Sequence, residues 1–238
     1  MIRSITLAGV AVGIAMLTLP VFAGDFTSFE ADLRAAYGDY RAALVQTSLG
    51  NAEGTDKALT GFGAKWTALT IQWRETPPPQ YVDDAEFSDT MAKVQSLLTE
   101  AKAIAAGGDL AKAHLTLEAV REALGDLHIR NGLYTFSDRM NAYHEKMEVV
   151  LGKDYQGFSP EGLGMLREDA AVLAELAQVI FDHPAPEAAV EPYDLLTKGL
   201  KASIDALGNA ARSGDAPAAK AAIGGLKPAY AKLFAKFG

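Results

Sequence analysis

From residue 26 onward the chain places apolar residues at helical spacing almost without interruption, and no alternating strand pattern emerges. Phe29, Leu33, Tyr37, Tyr40 and Leu44 recur at three- and four-residue steps, which predicts a helix over about residues 26–48 with one buried stripe. Leu59, Phe62, Trp66, Leu69 and Trp73 do the same over about residues 55–74, with Trp66 and Trp73 as core anchors. Thr76-Pro77-Pro78-Pro79 stops this helix, because proline lacks an amide donor and restricts the residue before it. A third helix is expected over about residues 85–106, where Gly107-Gly108 suits a left-handed C-cap. Asp109 can cap a fourth, which continues to about Arg130 before the Asn131-Gly132 break.

The plan then recurs. Gly108-Asp109 returns as Gly214-Asp215, Phe87 as Tyr193, Val94 as Leu200, Leu98 as Ile204, Asp32 as Asp138 and Tyr37 as Tyr143, all 106 positions on with no gap needed. Ser137 or Asp138 can cap a helix reaching Leu151, and Ser159-Pro160-Glu161 opens the next with a cap, a proline and an early acid. Asp182-His183-Pro184-Ala185-Pro186 takes the place of the proline run. A period this long exceeds the roughly 20–50 residues of a solenoid repeat, so each copy is a domain-sized element. The expected fold is all-α: two tandem antiparallel four-helix bundles over residues 24–131 and 132–238.

The start of the chain changes where this fold is expected to work. Arg3, an apolar stretch from Ile5 to Phe22 and the small residue Ala23 predict a signal peptide over residues 1–23, cleaved after Ala23 and leaving a periplasmic protein with no membrane anchor. There is no cysteine, so stability must come from burial, and thiolate metal sites and covalent haem attachment are excluded. The net charge is −8, or −9 without the leader. An acidic balance with no basic stripe argues against nucleic acid as a partner.

The stretch from Thr76-Pro77-Pro78 through Gly108-Asp109-Leu110-Ala111-Lys112-Ala113 to Leu127-His128 resembles the last two helices of the soluble periplasmic four-helix b-type cytochromes, and more distantly cytochrome c-prime. The resemblance implies a haem-binding histidine at His128. Tyr37 stands near the position of that family's axial methionine, and Leu124 and Leu127 stand where c-prime has its attachment cysteines. Tyr230, Leu233 and Phe234 occupy the corresponding places in the second copy, so at most one copy keeps the site. A haem held without covalent attachment by one imidazole is what remains. His114, Leu117, Arg121, Leu124 and His128 share one stripe, which offers Arg121 as a partner for a haem propionate.

A second chemistry is written in the other copy. Met140, His144 and Met147 stand at i, i+4 and i+7, a thioether–imidazole set that suits copper, and Glu148 can add an oxygen ligand. The same methionines equally fit a packed core seam. His114 and Glu118 form an i, i+4 pair, and His183 lies in a proline-rich turn expected to be solvated. There is no Glu-x-x-His pair, HExxH or GxSxG, and Gly162-Leu163-Gly164 lacks the third glycine of a dinucleotide loop. The chain therefore reads as a non-enzymatic periplasmic binding protein for a transition metal or haem. A haem-b electron carrier using His128 and a ligand-free module that meets a periplasmic protein partner are the alternatives.

Overall fold

A computed structural model describes residues 23–73 and 75–238, with side chains from Thr27 onward. Residues 1–22 of the expected leader, and Arg74 at the expected end of the second helix, lie outside the described residues. Eight α-helices and no strand are found among the described residues: α1 (Ala23–Ser48), α2 (Ala52–Trp73), α3 (Phe87–Ala106), α4 (Leu110–Arg130), α5 (Phe136–Gly152), α6 (Pro160–Asp182), α7 (Tyr193–Ser213) and α8 (Ala216–Phe237). None of them is long and apolar enough to cross a membrane.

The predicted stripes are the buried ones. Phe29, Leu33, Tyr37, Tyr40 and Leu44 of α1, and Leu59, Phe62, Trp66, Leu69 and Trp73 of α2, all enter the core. Helix α1 packs on α2 and α4, and α3 closes the ring against both. Helices α5–α8 repeat the arrangement. The turns repeat too. Gly108 (φ +90°) and Gly214 (φ +73°) take the left-handed conformation that glycine alone adopts freely. Asp109 then accepts from the Lys112 amide at 2.9 Å, and Asp215 from the Ala218 amide at 2.9 Å. Asp109→Ala and Asp215→Ala should each cost about 1 kcal/mol in urea denaturation, and by matching amounts, since each removes the same helix cap.

Two details differ from the sequence expectation. Thr135, rather than Ser137 or Asp138, is the N-cap of α5, and Asp138 closes the capping box by accepting from the Thr135 amide. The second helix of each copy is also out of step. The residues of α6 that take the core places of Leu59, Trp66 and Trp73 are Leu166, Leu173 and Ile180, 107 positions on, whereas Val172, 106 after Trp66, is 46% exposed. One added residue turns a helix by about 100°, so the buried face selects the 107 spacing over the 106 spacing of the other helices. The shift puts Asp169 in the place of Phe62. Its carboxylate accepts from Lys146 Nζ (2.6 Å), Lys153 Nζ (2.9 Å) and Tyr155 Oη (2.9 Å). Burial works against its charge, but these three donors prevail and hold its pKa down at about 2.

The copies meet along a seam in which α1 touches α8 and α4 touches α5. Shifting by one copy turns the first pair into the second, so the seam has the form of a two-fold interface. Arg34 forks onto Glu187 and reaches the Phe237 carbonyl, and Arg41 donates to the Phe234 carbonyl at 3.4 Å. Buried apolar residues of both copies form one connected core.

Candidate functional site

Where α1, α4 and α5 converge with the turn after α6, the seam opens into a cavity of about 560 Å³. Leu33, Leu124, Leu133 and Phe136 supply apolar wall, His128, Tyr37 and Asn141 supply polar groups, and Glu30, Arg34, Asp138, Arg139 and Asp182 bring charge to the lining. A mostly apolar hollow of this size with a few convergent polar groups is the usual form of a small-molecule site.

His128 sits in the last turn of α4 and is 5% exposed. Its Nδ1 donates to Asp138 Oδ2 at 2.8 Å. The same oxygen accepts from the Thr135 amide and hydroxyl, each at 2.7 Å, so the capping box of α5 also aims the imidazole of α4. With Nδ1 committed, Nε2 is buried and has no hydrogen-bond partner, and Glu30 Oε2 lies 3.9 Å away. Burial alone would lower the pKa of this histidine. The Asp138 hydrogen bond and charge, with Glu30 behind them, outweigh burial and raise it. An imidazole fixed by a carboxylate on one nitrogen, with no hydrogen bond on the other, is the arrangement found around metal-ligating histidines.

Glu30 is itself held in place, its Oε1 accepting from Tyr81 Oη and Gln80 Nε2, both at 2.9 Å. Tyr37 also lines the cavity. Burial pushes its pKa up to about 12, so it offers a phenol rather than a phenolate. Asn141 Nδ2 donates to it at 3.5 Å, leaving Asn141 Oδ1 buried and unpaired.

The structure does not bring Arg121 to His128. Arg121 lies two turns earlier on α4, pairs with Glu118 and lines a different seam cavity of about 240 Å³. Two turns of helix carry a side chain about 10 Å along the axis, enough to put it on the other hollow. Arg34 and Arg139 are the guanidinium groups at the His128 cavity.

Met140 and Met147 are fully buried in the core and line neither cavity. His144 turns to the smaller cavity, with its ring 5.2 Å from that of Tyr230 and Nε2 3.4 Å from Glu148. Burial, aided by the Arg121 charge, pushes its pKa down to about 4. His114 lines the same hollow, bonded to Thr47 Oγ1 at 2.8 Å and 3.3 Å from Glu118. His183 is exposed beside the larger cavity. Among the described residues no group of three or more His, Asp or Glu side chains is arranged to hold a metal ion.

Glu30, Asp138 and Asn141 were not foreseen as site residues. The Thr135-x-x-Asp138 spacing is a visible capping signal, but the histidine it would orient lies ten residues away on another helix. No protein-family model, no curated protein and no solved structure matches this chain.

Proposed function

We propose that this chain is a non-enzymatic periplasmic binding protein for haem held without covalent attachment in the seam cavity, where His128 Nε2 would ligate the iron. The observation that carries this reading is the buried, unpartnered Nε2 at a largely apolar cavity, with Nδ1 fixed by Asp138. Haem supplies a one-electron redox centre when bound. The residues around it do the rest. Asp138 sets the tautomer and ring angle of His128, Leu33, Leu124 and Phe136 exclude water from the macrocycle, and Tyr37 stays a neutral phenol. The Met140–His144–Met147–Glu148 set is the weaker reading, since both methionines are sealed in the core while His144 faces the seam.

Haem titrated into the purified full chain should give a sharp Soret band at one equivalent. His144→Ala, at a residue that does not line the His128 cavity, should keep the band and His128→Ala should lose it. A wild-type chain that gives no band rules the haem reading out.

A further inference from the structure

The charges around the cavity distinguish one rim residue. His128 is taken up by Asp138, and Arg34 by Glu187 and the Phe237 carbonyl. Arg139, half-buried on the first turn of α5, donates from one guanidinium nitrogen to the Tyr134 carbonyl and forms no ion pair with any described residue. Its neighbours on the lining include the carboxylate of Asp182, which accepts from Gln178 Nε2 at 2.8 Å. Arg139 follows Asp138 directly, so the residue that holds His128 is next in the chain to a cation lining the same cavity.

We infer that Arg139 is the carboxylate-recognition residue of this site, so that the ligand is an amphipathic acid. Its apolar body lies against Leu33, Leu124 and Phe136, its inner end meets His128, and its acid group lies on the Arg139 fork. A guanidinium presents parallel N–H donors matched to a carboxylate, and a lysine ammonium does not. The inference rests on the haem reading above, in which the acid groups are the two propionates, and it replaces Arg121 by Arg139 as their partner.

Haem and its propionate dimethyl ester, titrated separately and followed by the Soret band, test this. Wild type should bind the diacid roughly 10–100-fold more tightly than the diester, the range of one hydrogen-bonded charge contact. Arg139→Gln should bring the diacid down to the diester affinity without losing the band, and Arg139→Lys should recover part of the preference. A thermal melt by circular dichroism confirms that the variants fold. A preference for the diacid that survives in Arg139→Gln overturns the role of Arg139 and leaves haem binding standing. No band with either porphyrin in wild type overturns both.

Discussion

His128→Ala is expected to lower the folding stability by about 3 kcal/mol, besides abolishing the Soret band. Stripping one partner from a buried ion pair costs about 3–5 kcal/mol. The lower end applies because Thr135 still gives Asp138 two hydrogen bonds. The loss also depends on pH in a definite direction. The folded pKa of His128 lies above its ordinary 6.5, so the native state binds this proton more tightly than the unfolded chain does. Its contribution is therefore fully present below about pH 6.5 and fades as pH rises through the folded value. Urea titrations of wild type and His128→Ala should differ most at pH 5.5–6, and the gap should narrow on the alkaline side. A gap that widens with pH would contradict the Asp138 pairing. If haem binds as proposed, its affinity should run the other way and strengthen as pH rises, because His128 would have to give up the Nε2 proton to serve as a ligand.

The other large effect is in the core of the first copy. Trp66 is fully buried, with its ring centroid 5.9 Å from that of Phe62. Trp66→Ala should cost about 4 kcal/mol, the transfer loss plus the cavity left behind. Trp66→Phe should cost far less, about 1.5 kcal/mol or under, because a phenyl ring refills most of the space, and neither variant keeps the indole Nε1 that is buried without an acceptor. Urea midpoints by far-ultraviolet circular dichroism separate the two. Equal losses in both variants would mean that a phenyl ring recovers none of the packing that the indole supplies. Leu173, the counterpart in α6, has less side chain to lose.

The helices were legible because each carries a stripe that only the 3.6-residue period can bury, as Phe29 to Leu44 and Leu59 to Trp73 show. The turns were legible because Gly108 and Asp109 announce themselves chemically. What escaped was register and juxtaposition. The one-residue slip of α6 is invisible at 106 spacing, because none of the matched pairs falls in the second helix of a copy. Only packing reveals that Leu173, not Val172, replaces Trp66. At the site, the stripe of α4 correctly placed Arg121 and His128 on one side of their helix. It carried no information on which neighbouring helices would stand beside each turn, and so could not foresee that a wall of α5 would give His128 an Asp138 and Arg121 a different hollow. Met140 and Met147 show the same limit, since their spacing fits a ligand set and a packed core alike, and burial puts them in the core.

The seam carries an evolutionary consequence. Contacts of α1 with α8 become contacts of α5 with α4 on shifting by one copy, so a half-length ancestor could cover the same face by homodimerising. Such a dimer would be bound to duplicate every feature, one histidine and one pocket per subunit. Fusion of the two genes lifts that bond. With both halves on one polypeptide, the second could take Phe234 where the first keeps His128, and Asp169 where the first keeps Phe62, and still supply the surface its sister needs. The tandem arrangement thus lets one half specialise while the other is retained as scaffold.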